Sequence, residues 1–445
     1  MNPSEPLAGA ALDSSIIDRD HAMVFGCWAA QASRPRLHVA GGRGAELWDH
    51  AGNRWIDFTS QLINANIGYG HPAVVEAIAQ QAARLATISP ATANEARAEA
   101  AAAILRHMPQ GFNKIFFTNA GADAVENAIR LARLHTKRDK IISFYRSYHG
   151  NTAAAITATG DWRRVENEYA RGHLHVFGPY LYRSEYWAET PEEEAQRAAR
   201  HLRRVVEEEG PSTIAGFLFE TIPGTNGILP PPPGYLPRLR EIADEHGIVL
   251  ILDEVMAGFA RSGAWLALDH YGVTPDLVTF AKGVNSGYVP AGGVALSEAV
   301  ASGFDHRVFP GGLTYSGHPL AMAAIVANIG AMEAEDVIGN AARVGAETFS
   351  PGLAAIAEAN PLVGEVRGIG CFWAVELVQD AATRAPVKPG AVGRIVAACR
   401  ERGLLIAGVQ NRLHVTPPCV ISAELASRGI AILREVLDDA VRESW

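Results

Sequence analysis

From residue 71 to about 330, short apolar runs alternate with stretches of helical periodicity, and this alternation constrains the fold more than any other feature. Lys114–Thr118, Ile141–Tyr145, Gly216–Phe219, Ile248–Leu252 and Leu277–Ala281 read as strands. Such short, uniformly apolar strands are buried on both faces, the pattern of parallel sheets. Between them, Gly121–His135 carries Ala124, Val125, Ala128, Ile129 and Ala132 at helical spacing, and Val74–Ala86, Glu95–Arg106 and Tyr235–Glu245 read likewise. Alternating strands and helices predict an α/β unit, a mainly parallel sheet with helices on both faces.

The flanks differ. Residues 1–40 read as an arm or short helices. Ala45–Asp49 and Arg54–Phe58 flank a turn with Gly52 and Asn53, a hairpin signal. Beyond the α/β unit, helices near 340–358 and 391–402 surround strands at Cys371–Leu377 and Leu413–Val415, a smaller α+β unit. A chain of 445 residues suits two or three units, because single cores stop growing at roughly 250–300 residues. The expected division is 1–70 for the arm and hairpin, packing with the small domain, 71–325 for the large domain and 326–445 for the small one.

In an open α/β sheet, ligands bind beyond the carboxyl ends of the strands. There the sequence places Asn119-Ala120-Gly121-Ala122, Ser147-Tyr148-His149-Gly150, Glu220, Asp253-Glu254 and Lys282-Gly283. Small residues at a helix start leave N–H groups open to a phosphate. A desolvated lysine can attack a carbonyl, and a carboxylate can hold a proton on a pyridine nitrogen. Each element alone has an ordinary structural explanation, such as helix capping or packing. Together they fit pyridoxal 5′-phosphate (PLP).

The chain resembles the class III, or ω-, aminotransferases of the fold-type I PLP-dependent transferases. The resemblance is carried by Gly41–Asp57, Asn66–Pro72, Phe117–Arg133, Tyr148-His149-Gly150, Leu252-Asp253-Glu254-Val255, Phe280-Ala281-Lys282-Gly283 and Thr314–Pro319. It implies a seven-stranded type of large-domain sheet and a homodimer with active sites at the interface, with a tetramer left open. It also implies roles. Lys282 forms the Schiff base with the cofactor and shuttles the proton, Asp253 pairs with the pyridine nitrogen, and Tyr148 and Val255 cover the two ring faces. Gly121 and Ala122 give N–H groups to the phosphate, Thr314 reaches the phosphate held by the other subunit, and His149 and Glu220 complete the cofactor set. An amino group would pass from an ω-amino acid or amine to a keto acid, pyruvate first and 2-oxoglutarate second, with ping-pong kinetics.

For the substrate pocket the expected residues are Trp28, Leu62, Ile63, Tyr148, Arg412 and His414. Ile63 stands where amine:pyruvate members carry a tryptophan. His414 stands three residues before Pro417, where many members have a carboxylate-binding arginine, and Arg412 lies two residues earlier on the same strand face. The segments Thr59–Asn64 and Arg412–Cys419 are similar to taurine:pyruvate-type members, which makes a donor with a distal anion one candidate. An aminomutase, racemase or decarboxylase on the same scaffold, a biosynthetic tailoring transaminase and a non-catalytic scaffold are the alternatives.

Other classes are disfavoured. A formal charge of −9, with no basic stripe, argues against nucleic acid. No apolar run reaches the roughly 18–20 residues of a membrane span, and Met1–Ser15 lacks a secretory pattern. The four cysteines are scattered without a CxxC, and His173-Leu174-His175 has no third ligand in view, so no metal is expected and the setting is cytoplasmic.

Overall fold

The computed structural model describes residues 9–445. Its centre is a seven-stranded sheet built from β1 (Phe112–Thr118), β2 (Lys140–Phe144), β3 (His173–Val176), β4 (Ile214–Glu220), β5 (Val249–Asp253), β6 (Leu277–Phe280) and β7 (Gly292–Ser297). The spatial order is β1-β7-β6-β5-β4-β2-β3. Strands β2 to β6 pair in parallel, while β7 runs antiparallel to both β6 and β1. The sequence reading missed β7: its Gly292-Gly293 start gives no strand signal. Both glycines are required, because a Cβ at 292 would lie 2.7 Å from the Ala120 carbonyl oxygen and one at 293 would lie 2.5 Å from the Phe280 ring.

β4 and β5 are buried at every position, which is why they read as continuous apolar runs. The helix Gly121–Thr136 lays Ala124, Val125, Ala128, Ile129 and Ala132 on the sheet. The helix Pro319–Ala334, which runs through residue 325, packs against Pro72–Arg84 and Glu95–Leu105.

In the N-terminal part, the helix Gly9–Met23 precedes a hairpin of Glu46–Trp48 and Arg54–Asp57. The hairpin's second strand pairs in parallel with Leu404–Leu405. The C-terminal sheet pairs Val363–Ile369 with Phe372–Asp380, and the latter with Arg412–Val415. The helix expected near 340–358 is broken into Val337–Val344, a π-turn at Gly345–Phe349 and Ser350–Ala359. At the first residue of the π-turn a side chain would not fit: a Cβ at Gly345 would lie 2.5 Å from the Gly370 oxygen. Among the described residues, no helix is long and apolar enough to cross a membrane.

Candidate active site

Five of the strand ends converge on one cavity of about 470 Å³, lined among others by Asn119–Ala122, Tyr148–Gly150, Glu220, Asp253, Val255, Met256 and Lys282. Register explains the convergence. Glu220 and Asp253, the last residues of β4 and β5, are directly paired, and Asp253 is paired with Thr279 of β6. Lys282 follows β6 by two residues in a left-handed conformation (φ 42°), uncommon for a non-glycine residue. The turn is clamped from behind by the buried Asn328, whose Nδ2 donates to the Gly283 and Val284 carbonyls at 3.1 and 3.0 Å.

Burial pulls the Lys282 ammonium down to about 8, against the opposing pull of the Glu220 and Asp253 carboxylates, while Arg261 and Arg163 push it further down. Glu220 is displaced the other way, to about 7, chiefly by desolvation. Its two oxygens accept from the Tyr148 N–H (2.9 Å) and the Gly224 N–H (2.8 Å), so it also shapes the loop that carries Tyr148. Asp253 is buried, with Oδ1 accepting from the Val255 N–H at 3.0 Å and Oδ2 lying 2.7 Å from His149 Nδ1.

At the opposite end, the helix Gly121–Thr136 begins at Ala120 with no side-chain cap, leaving its first N–H groups open. The surrounding backbone comes in close. A Cβ at Gly150 (φ 134°) would lie 2.5 Å from Ala122 Cβ, and one at Gly121 would lie 2.9 Å from Val255. Any side chain here would fill the cradle.

The remaining expected residues are placed as follows. Leu62 lines the cavity together with Asn64. Ile63 does not: its side chain is buried among Ile222, Ile228 and Phe372. The backbone around it is left-handed at Ser60, Gln61 and Ile63, and is held by Asp57, whose Oδ1 accepts from Thr59 and Ser60. Trp28 and Thr314 are exposed and lie outside the cavity lining of this chain. Arg412 and His414 lie side by side on one buried face of their strand, also outside the lining. Burial lowers Arg412 to about 10, and burial with the Arg412 and Arg367 charges lowers His414 to about 3, so this imidazole is neutral. Arg412 bonds Gln410 and pairs in register with Glu376.

Two arginines gave no sequence signal. The Arg163 guanidinium lies 3.8 Å above the Tyr148 ring and is paired with Asp161, which fixes the aromatic wall of the cavity. Arg261, fully buried, donates to the Cys371 and Pro417 carbonyls, to Ser60 Oγ (3.1 Å) and to Asn66 Oδ1 (2.7 Å). Four segments distant in sequence are thereby joined beside the cavity.

A partly neutralised lysine amine, a buried carboxylate, an aromatic wall and an open helix start, all at the carboxyl edge of this sheet, define a PLP-dependent enzyme of fold type I. Residues 28–437 match the family model for aminotransferase class-III, and the chain belongs to that family. It is 36% identical to an uncharacterised aminotransferase of Bacillus subtilis, over 88% of this chain and 90% of that protein. It is 33% identical to the putrescine–pyruvate aminotransferase of Pseudomonas aeruginosa, over 89% of each chain. The crystal structure of taurine:2-oxoglutarate aminotransferase from Bifidobacterium kashiwanohense, in complex with PLP and glutamate, superposes with a TM-score of 0.93 at 35% identity, covering 98% of this chain and 99% of that one. The cofactor is PLP, and the residues present fit it: the cradle at Gly121, Gly150 and Gly292 admits backbone-close approach, and the uncapped N–H groups suit a phosphate.

Proposed function

We propose that this transaminase takes the amino group of an ω-amino acid or primary amine and delivers it to a keto acid, with pyruvate the first acceptor and 2-oxoglutarate the second. The observation that carries the reading is the placement of the Lys282 amine, lowered to about 8, in one cavity with the Asp253 carboxylate.

Gly121 and Ala122 would hold the phosphate by their N–H groups, Tyr148 and Val255 would cover the two ring faces, and Asp253 would hold the proton on the pyridine nitrogen. When bound, PLP supplies an aldehyde to which the donor nitrogen attaches and a ring that absorbs the charge left by the departing proton. Lys282 Nζ would bind the cofactor through its aldehyde carbon until a donor amine takes its place. As a free amine it would then carry the proton between the donor carbon and the cofactor. The His149 N–H, donating to Asp253, keeps that carboxylate aimed. Glu220 sets the Tyr148 loop and adds a second carboxyl beside Lys282. Release of the deaminated donor before the acceptor enters makes the kinetics ping-pong.

Leu62 and Tyr148 are the donor-facing residues in this chain. Trp28 and Thr314 complete the site in a homodimer, a reading supported by their exposure beside other exposed apolar groups, Phe25 and Tyr315. Arg412 is the guanidinium we assign to a substrate carboxylate or distal anion, because among the described residues its side chain bonds Gln410 and no carboxylate lies within ion-pair distance, and the His414 beside it is neutral. A taurine-like donor follows from this assignment and from the solved relative that acts on taurine. A cytoplasmic setting agrees with four free cysteines.

The test is a donor screen with PLP-loaded protein. Taurine, β-alanine, 4-aminobutyrate, putrescine and 1-phenylethylamine are each offered with pyruvate, reading alanine, and with 2-oxoglutarate, reading glutamate. Alanine from an anionic ω-amine supports the full reading. Product from putrescine or 1-phenylethylamine alone removes the distal-anion assignment, and no product from any pair overturns the ω-donor reading.

A further inference from the structure

Away from the cavity, three potential ligands from three separate segments meet. Asp13 comes from the helix Gly9–Met23, His38 from the extended stretch before the strand Gly41–Arg43, and His50 from the hairpin turn. One ligand atom of each lies within 4.8 Å of the other two. We propose that Asp13, His38 and His50 form a binding site for a divalent cation of the zinc class.

One pair, Asp13 and His38, is spaced as ligands rather than as hydrogen-bond partners. His38 Nε2 is buried and has no hydrogen-bond partner among the described residues, although Asp13 Oδ1 is 3.5 Å away. Donor atoms on a tetrahedral zinc with bonds of roughly 2.0–2.1 Å stand about 3.3 Å apart. The two imidazoles are nearly parallel, with centroids 5.0 Å apart and planes at 19°, and a nitrogen of each lies within 4.8 Å of the same carboxylate. That carboxylate is already oriented: the His50 and Ala51 N–H groups donate to Oδ1 and Oδ2, each at 3.3 Å. Outer hydrogen bonds of this kind are the usual support of a metal ligand.

Two imidazoles and one carboxylate make a donor set that zinc accepts with a fourth position left to water. His50 is exposed and the site opens on a surface cavity of about 370 Å³, which supplies that water. The site shares no residue with the Lys282 cavity. A bound cation would tie the N-terminal helix to the hairpin, so its occupancy acts on the arm's stability, and none of its three ligands lines the Lys282 cavity.

The test is a zinc titration of chelator-washed holoenzyme by calorimetry, comparing wild type with His50→Gln and with a His38→Gln/His50→Gln protein. The wild type is expected to bind one zinc per chain beyond whatever the double variant binds. Loss of the exposed His50 weakens that site at least about tenfold, in line with the cost of disturbing even outer contacts to a metal. Zinc should raise the unfolding temperature of the wild type only, and turnover before zinc addition should be equal in all three, which also shows that the variants fold. Equal stoichiometry in the wild type and the double variant, or no zinc taken up by the wild type, would overturn the proposal.

Discussion

His149 Nδ1 lies 2.7 Å from Asp253 Oδ2, both side chains fully enclosed. An ionised carboxylate only accepts, so the proton sits on Nδ1. The other oxygen, Oδ1, accepts from the Val255 N–H. Held at both oxygens, Asp253 cannot turn away from the cavity, and the orientation needed to face a pyridine nitrogen is built in before any cofactor arrives.

Asp253→Asn keeps the shape and removes the charge. The amide oxygen can still accept from the Val255 N–H, but the amide nitrogen then faces His149 Nδ1, which must switch to its other tautomer. Steady-state kinetics with the best donor should show kcat reduced by about 100-fold or more, the usual scale for removing a preorganised electrostatic contact. A variant within twofold of wild type would remove Asp253 from the chemistry.

Lys282→Ala removes the only amine lining the cavity among the described residues. Turnover should fall by about three orders of magnitude or more, the range seen when a nucleophile is deleted. The visible band of the lysine-linked cofactor should vanish from the spectrum of the purified protein while its circular dichroism stays unchanged.

The lowered Lys282 predicts a pH dependence with a definite sign. Below about 8 the amine is protonated and cannot attack an aldehyde. The rate at which apoenzyme captures PLP should therefore rise with pH through about 8 and level off above it. For an ordinary lysine the rise would continue toward about 10.4. A stopped-flow record of cofactor absorbance across that range separates the two.

Gly292→Ala tests the cradle. The new Cβ, 2.7 Å from the Ala120 oxygen, pushes on the residue before the phosphate-facing helix. Overpacking of this kind costs about 1–3 kcal/mol. Equilibrium dialysis should show PLP binding weakened by about tenfold or more, with the unfolding temperature of the apoenzyme lowered less.

Glu376 gives a stability test remote from the cavity. It accepts from Tyr180 and pairs with Arg183 Nε at 2.5 Å and Arg367 at 2.9 Å. Burial opposes its charge, but the Tyr180 hydrogen bond and the two guanidiniums prevail and hold it down at about 2. A depressed carboxylate contributes stability that is present above its unfolded value and is lost as pH falls through the folded one. The wild type should therefore lose stability between about pH 4.5 and 2, and Glu376→Gln should be less stable at neutral pH with a flatter acid limb in urea titrations.

The sequence by itself determined the large domain's layering and which residues stand at the strand ends, and the family resemblance supplied the roles proposed for them. β4 and β5 are buried on both faces, so their apolar runs could be read directly, and open α/β sheets put ligands at strand carboxyl ends. Lys282, Asp253, Glu220, Tyr148 and the Gly121-Ala122 start were therefore legible from position alone. Only the tertiary structure decided the rest, because it depends on backbone approach and on contacts between distant segments. β7 hides behind Gly292-Gly293, chosen for lack of a side chain rather than for strand propensity. Ile63 faces an apolar cluster and not the cavity because left-handed residues around it turn the loop, and no local pattern announces that turn. Arg163 on Tyr148, Arg261 across four segments, and the meeting of Asp13, His38 and His50 join residues whose spacing along the chain carries no period at all.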